Sequence, residues 1–184
     1  LQSAIGTLDQ QAIQRWSDLV YEAWEAEKFV FVFGNGGAGT TASHFHEDFA
    51  KSSLRPQDLE DDSMKRLKIL SLNDNVGWIT AVGNDMGYEH IFQQQLMNFA
   101  QPGDLAIAMS GSGNSPNVIQ AVKWARQRGV HTYCMTGFDG GQLKDLQDDG
   151  LHIPIDDMGM VQSLHLCVFH WVLDDVFARI NREG

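Results

Sequence analysis

The sequence predicts an α/β fold: a three-layer, doubly wound sandwich in which a mostly parallel sheet of about five strands has helices on both faces. Short apolar runs alternate with helical patterns along the chain, which is typical of an open parallel sheet. Two of these runs lead directly into loops rich in glycine or serine, as expected where ligand loops follow the carboxyl ends of parallel strands. The length of 184 residues indicates one domain, residues 1–184.

The apolar pattern gives the order of the elements. Apolar residues that recur every three or four positions between Ile5 and Trp24 predict an amphipathic first helix. The predicted strands are 29–33, 68–72, 105–109, 130–135 and 151–155. The other predicted helices are 40–53, 76–82, 88–100, 116–128, 142–147 and 160–179. Residues 83–85 predict the end of the helix at 76–82. Residues 54–66, which contain Pro56 and an acidic run, predict an exposed loop.

The loop after the third predicted strand, Ser110-Gly111-Ser112-Gly113-Asn114-Ser115, is the strongest functional signal. Its glycines allow a close approach of the backbone, and its hydroxyls with the free N–H groups of the next helix can bind the oxygens of an anion. Phosphate is the expected ligand. The alternative is a solvated connector whose serines only cap the helix.

Composition excludes several classes of function. The net charge is −11 and no lysine or arginine cluster is present, so we expect no direct nucleic-acid partner. No run is long and apolar enough to span a bilayer and no signal peptide is visible, so no membrane association is expected. The two cysteines, Cys134 and Cys167, have no metal or redox spacing. They predict reduced, buried thiols in a cytoplasmic protein.

The loop after the first strand, Gly34-Asn35-Gly36-Gly37, is followed by Gly39, so that positions 34, 36 and 39 match the spacing of a dinucleotide-binding fingerprint. Such a site also needs an acidic residue at the end of the second strand, about twenty residues further on. That strand ends near Asp74, some forty residues on. No nucleotide cofactor is therefore expected.

Two helices carry candidate catalytic or metal-binding side chains. His44 and Asp48, four residues apart, share one helical face and could hold a metal, act as a base and its orienting partner, or form only a solvent-facing ion pair. On the last helix, Gln162 and His170 are about 80° and about 12 Å of rise apart, so one ligand reaches both only if the side chains lean together. His165, between them on an apolar helix, is expected to be a satisfied core residue.

Six segments together resemble the sugar isomerase (SIS) domain family, and within it the phosphoheptose isomerase branch. They occur in the same order over nearly the whole chain: 34–37, 42–45, 83–85, 110–117, 136–141, and Gln162 with His165 and His170. The resemblance implies a homotetramer, with sites at subunit interfaces, that interconverts sedoheptulose 7-phosphate and a heptose 7-phosphate through an enediol, in some members with zinc.

The resemblance also implies roles for single residues. Ser110, Gly111, Ser112 and Ser115 become the phosphate loop, and the sugar contacts become Asn35, Gly36, Gly37, Asp74, Asn75 and Gln162. Asp48 and His170 become the catalytic pair, the carboxylate moving a proton between C1 and C2 and the histidine acting on the oxygens. One zinc ion would be held by His44, Asp48, Gln162 and His170.

The chain departs from the family pattern at four positions. Asp48 stands where the isomerases have Glu, Gly111 where they have Thr, Ala38 where they have Ser, and Gly159 where they have an acidic residue. Phosphosugar binding tolerates these changes more easily than proton transfer does, because proton transfer depends on geometry. They keep open a second function: a non-catalytic sugar-phosphate-binding regulator or scaffold, such as a partner of the bacterial replication initiator.

Overall fold

The computed structural model describes residues 2–182 and contains a five-stranded sheet in the order β2-β1-β3-β4-β5. Every neighbouring pair of strands is parallel. The strands are β1 (Phe29–Gly34), β2 (Lys68–Ser71), β3 (Leu105–Ser110), β4 (His131–Gly137) and β5 (Asp149–Ile153). The helices are α1 (Gln2–Ile5), α2 (Gln10–Glu25), α3 (Gly37–Ser52), α4 (Val76–Asp85), α5 (Ile91–Phe99), α6 (Pro116–Gln127), α7 (Gly141–Leu146) and α8 (Met158–Ile180). The predicted fold class is confirmed.

Alternating side chains of the central strands fill two separate cores, one on each face of the sheet. Val30 and Val32 point to the core under α2, α3 and α8, whereas Phe31 and Phe33 point to the core under α5, α6 and α7. Strands buried on both faces read as continuous apolar runs, as β1 and β3 do. The three layers of the sandwich follow directly from this alternation.

Several predicted boundaries were wrong, each for a local reason. The predicted first helix is divided into two helices, α1 and α2. Helix α2 starts separately because Asp9 accepts hydrogen bonds from the backbone N–H groups of Gln11 and Ala12. Helix α4 continues through the predicted stop at 83–85 and ends before Gly87, whose φ of 107° no helix accommodates. The last strand lies two residues earlier than predicted, since Pro154 has no N–H for the ladder.

Two other predicted helices begin at different residues. Helix α3 starts at Gly37, three residues before the prediction, directly after Gly36 with a φ of 55°. The segment that begins at Tyr88 is first a 3₁₀ turn (Tyr88–His90) and becomes α5 at Ile91. The loop 54–66 is confirmed apart from a short 3₁₀ turn at Pro56–Asp58. No helix among residues 2–182 is long and apolar enough to cross a membrane.

We expect Asp9→Ala to lower the free energy of unfolding by about 1 kcal/mol, because two N–H groups at the start of α2 lose their acceptor. Asp9→Asn is the matched control, since its amide oxygen keeps the same acceptor position. Urea denaturation measures both variants. Equal losses in the two would contradict a capping role for Asp9.

Candidate active site

The two ligand loops meet at the carboxyl edge of the sheet. Strands β1 and β3 pair with Gly34 opposite Met109, so the loops 34–37 and 110–115 leave the sheet side by side. With the start of α8 they line a cleft of about 280 Å³. The predicted site residues in its lining are Asn35, Gly36, Gly37, Ser110, Gly111, Ser112, Ser115 and Gln162.

Two of the three hydroxyl groups of the serine loop face each other. Ser110 Oγ and Ser115 Oγ are 3.1 Å apart, and Ser112 Oγ accepts a 3.3 Å hydrogen bond from the N–H of Asn114. Ser115 is the residue before α6, yet its side chain makes no capping hydrogen bond. The alternative of a connector with capping serines therefore fails for Ser115. The helix start and two converging hydroxyls suit an anion.

Gln162 is held against the first loop by the absence of a side chain at Gly37. A Cβ atom at Gly37 would lie 2.6 Å from Gln162 Oε1 and 2.7 Å from Nε2. Any larger residue at position 37 would push the amide away. This close approach lets the first turns of α8 reach the start of α3 and puts the Gln162 amide into the cleft.

The Asn35 side chain ties the first loop to its surroundings. Its amide and that of Asn117, at the start of α6, each donate to the other at 2.8 Å. The hydroxyl of Tyr88 also donates to Asn35 Oδ1 at 3.1 Å. Because these bonds use both ends of the Asn35 side chain, its side chain positions the two loops relative to each other.

A second cluster lies further along α3 and α8. His44 Nε2 is 3.1 Å from Asp48 Oδ2, and His170 Nε2 is 3.7 Å from the same oxygen. One ligand atom from each of these three residues lies within 4.8 Å of the others. Their side chains remain partly open to solvent, with Asp48 the most enclosed at 19% exposure. His44 and Asp48 therefore do not form an isolated solvent-facing ion pair, because His170 approaches the same carboxylate.

Both helices fix this cluster by burying the neighbouring face. Phe45 and Phe49 of α3 are fully buried and pack on Phe169 of α8. That leaves His44 and His170 on the adjoining faces, with ring centroids 5.3 Å apart. The buried face of α3 that carries Phe45 and Phe49 is therefore separate from the face that carries His44 and Asp48.

Of the thirteen predicted site residues, eight line the cleft and three form the cluster, whereas Asp74 and Asn75 lie in neither. Gln162 lines the cleft, eight residues and about 12 Å of helix from His170, so its place as a fourth metal ligand stays a prediction. Asp74 contacts Ser43 and lies 3.6 Å from His46 Nδ1. Asn75 caps α4 by accepting from the N–H of Trp78. The sugar contacts of Asp74 and Asn75 also stay predictions.

His165 is buried as expected, with 4% of its surface exposed, but it is not fully satisfied. Its Nε2 atom has no hydrogen-bond partner. Burial lowers the pKa of His165 from 6.5 to about 4, while a backbone hydrogen bond with Thr136 acts in the opposite direction. His165 is therefore a neutral core residue that costs stability whenever it is protonated.

Comparison with known proteins agrees with this geometry. The family model described as the SIS domain matches residues 1–137. The chain belongs to the SIS domain family. It is 32% identical over 173 residues to the phosphoheptose isomerase of Citrifermentans bemidjiense, which covers 94% of this chain and 86% of the relative. It is 33% identical over 165 residues to that of Helicobacter pylori, covering 90% and 82%.

A solved structure shares the architecture of this SIS domain over almost its full length. The phosphoheptose isomerase of Neisseria gonorrhoeae superposes with a TM-score of 0.84 at 28% identity, covering 95% of this chain and 89% of that one. The sheet order and the three layers described above are thus those of a phosphoheptose isomerase fold.

Sequence reasoning did not single out three residues that the structure places at or beside the cleft: Asn117 and Tyr88, which bond Asn35, and Met158. Asn117 directly follows Pro116 at the helix start, so its position in the chain could have suggested it. Tyr88 reaches Asn35 from 53 residues away. Met158 lines the cleft beside Gly111 and carries no sequence signal of a site, since a methionine in an apolar helix normally indicates core.

We expect the fold to lose stability as the pH falls from about 6.5 to about 4, by up to about 3 kcal/mol from His165 alone. In that range the unfolded chain binds a proton at this side chain and the folded chain does not, whereas above pH 6.5 both are neutral. His152, whose pKa burial also lowers, contributes in the same direction. Urea denaturation at pH 7 and pH 4.5 measures the effect.

The matched variant is His165→Gln, which keeps a polar side chain of similar size that does not titrate. Its stability should change less than the wild type's between the two pH values. An equal change in both proteins would mean that His165 already accepts a proton in the fold.

Proposed function

We propose that this chain is an aldose–ketose isomerase that interconverts sedoheptulose 7-phosphate and a heptose 7-phosphate. The relatives named phosphoheptose isomerase align over most of both chains. The observation that carries the proposal is the pairing of a serine-lined cleft with a His–Asp–His cluster along the same two helices. Within the fold, these are an anion site and a proton-transfer site facing one substrate.

The spacing of the two sites suits a long, phosphorylated sugar. Gly37 touches Gln162 at one end of the α3–α8 contact, and His44 touches His170 at the other. Seven residues of α3 and eight residues of α8 separate them, which is about 10 and about 12 Å of helix. An open-chain sugar of seven carbons with a terminal phosphate has about this length. With its phosphate at Ser110, Ser112 and Ser115, its C1 and C2 lie near Asp48.

The chemistry follows from the groups at that end. The Asp48 carboxylate takes the proton from the carbon next to the carbonyl and returns it to the neighbouring carbon, passing through an enediol. His170 moves the accompanying proton between the two oxygens. Both side chains are accessible to a substrate, with 19% and 44% of the side chain exposed.

A zinc ion is part of the proposal. Two imidazoles and a carboxylate within 4.8 Å form a donor set that zinc prefers, and a catalytic zinc site keeps a further position open. His44, Asp48 and His170 would hold the ion, with Gln162 as the predicted fourth ligand. When bound, zinc polarises a carbonyl oxygen of the substrate.

We also propose a homotetramer with its sites at subunit interfaces. Helix α4 is apolar in sequence but buries none of its residues within the chain. Large apolar side chains are exposed on and around α4 and α5: Val76 68%, Met86 50%, Tyr88 57%, Met97 49% and Phe99 47%. A patch of this kind marks an association surface. Tyr88 belongs to it and also bonds Asn35 in the cleft, so a second copy on this surface would border the cleft.

The remaining proposals concern the chain as a whole. A single SIS domain spans residues 1–184, works in the cytoplasm, and uses no nucleotide cofactor and no nucleic-acid partner. The unpaired state of Cys134 and Cys167 supports a reducing compartment. The absence of lysine and arginine from the described lining of the cleft supports recognition by hydroxyl and N–H groups.

We expect zinc-dependent turnover of sedoheptulose 7-phosphate, with the product identified by NMR. His170→Ala should lower kcat by at least about a hundredfold, as removal of a general acid–base does. Its KM should change little, because the phosphate is bound two helical turns away. Asp48→Glu restores the longer carboxylate of the family and should raise kcat if the shorter one limits proton transfer.

His131→Ala is the matched control for His170→Ala. His131 is a similarly exposed histidine at the amino end of β4, where it pairs with Asp149. Unchanged turnover in His170→Ala would overturn the acid–base role. No turnover in the wild type, together with tight binding of the sugar phosphate, would make the protein a sensor or scaffold.

We expect sedimentation equilibrium to give about four times the 20.5 kDa mass of the chain. Val76→Glu and Met86→Glu place charges on the apolar surface and should lower the mass, because a buried unpaired carboxylate is costly. Gln127→Glu, on an exposed part of α6, is the control. A tetramer that persists in the first two variants would put the interface elsewhere.

A further inference from the structure

Met158 lies directly on the phosphate loop. A Cβ atom at Gly111 would be 2.4 Å from Met158 Sδ and 2.9 Å from its Cε. The thioether therefore occupies the space that any side chain at position 111 would need. A side chain at position 111 would require this flexible thioether to move, so the methionine lines the cleft where a loop side chain would otherwise lie.

The same side chain separates two cavities. The cleft of about 280 Å³ holds the serine loop, and a neighbouring cavity of about 610 Å³ opens beyond it. Among residues 2–182, Ser112 and Met158 alone line both cavities. The larger cavity adds Asn114, Phe138, Asp139 and Asp156 to its lining. Its carboxylates accept hydrogen bonds and repel a second anion, and its aromatic ring packs on apolar surface. These are the properties of a site for a neutral polyol group.

The backbone of Met158 is fixed, whereas its side chain is partly exposed. Asp157 caps α8 through the N–H of Met160, and Val161 is fully buried under the helix. Met158 itself is 39% exposed. An unbranched, flexible thioether on a fixed backbone is a wall that a ligand can displace only at the cost of its packing on Gly111.

We propose that Met158 determines the ligand specificity of the cleft, which it restricts to phosphate monoesters by closing the route from the serine loop into the larger cavity. The inference rests on the proposed phosphate site. A monoester directs its one carbon chain along α3 and α8. A phosphodiester carries a second group, and Met158 blocks the path of that group from Ser112 into the larger cavity.

The test compares glycerol 3-phosphate, a monoester, with bis(glyceryl) phosphate, the diester that has one further neutral polyol. Calorimetry measures both dissociation constants for the wild type, Met158→Ala and Met158→Leu. We expect Met158→Ala to shift the ratio of the two constants toward the diester by about tenfold, equivalent to about 1.4 kcal/mol. Met158→Leu retains the bulk of the wall and should shift it little.

A second pair of variants keeps the proposal falsifiable if Met158→Ala disturbs α8. In the wild type, Gly111→Ala displaces the thioether and should move the ratio toward the diester. In the Met158→Ala background the same methyl group partly refills the opening and should move the ratio back toward the monoester. Effects of the same sign in both backgrounds would overturn the proposal.

The outcomes separate this inference from the proposed function. If the wild type binds glycerol 3-phosphate and sedoheptulose 7-phosphate but the monoester-to-diester ratio is the same in all variants, Met158 sets no specificity and the phosphate site stands. If the wild type binds neither compound, the phosphate site fails and the inference fails with it.

Discussion

The parallel pairing of β1 with β3 is the constraint on which the rest of the site depends. It places Gly34 beside Met109, so the glycine loop and the serine loop emerge at the same edge, one strand apart. A Cβ at Gly34 would lie 2.7 Å from the Met109 carbonyl oxygen, so the close approach needs this glycine. Helices α3 and α6 then begin beside the same cleft, which is lined by Gly37 at the start of α3 and by Ser115 just before α6.

Helix α8 connects that cleft to the cluster of His44, Asp48 and His170. Its 23 residues cross the face of the sheet beside α3, from Met158 on the serine loop to His170 beside His44 and Asp48. The aromatic packing of Phe45, Phe49 and Phe169 holds the two helices together. Because the buried rings are in register, the polar residues one position away are in register as well. The core thus sets the distance between the serine-lined cleft and the cluster of His44, Asp48 and His170.

The departures from the family pattern are local and partly compensated. Gly111 lacks a hydroxyl, and Met158 fills the vacant space. Asp48 is one methylene shorter than Glu, yet it contacts both histidines. Asp157, two residues before Gly159, caps α8. These changes preserve the framework of a phosphosugar site while altering its walls.

The sequence by itself determined the fold class, the two loops and the pairing of His44 with Asp48, because period-two and period-3.6 patterns and i,i+4 spacing are local properties. It misplaced the ends of helices where a single cap or turn decides, as at Asp9 and Gly87. Only the tertiary structure brought His170 to Asp48, tied Asn35 to Asn117 and Tyr88, and put Met158 on Gly111. Those contacts join segments 47 to 122 residues apart. The sheet register and the packing of the helices determine these contacts. Neither can be inferred from the spacing of residues along the chain.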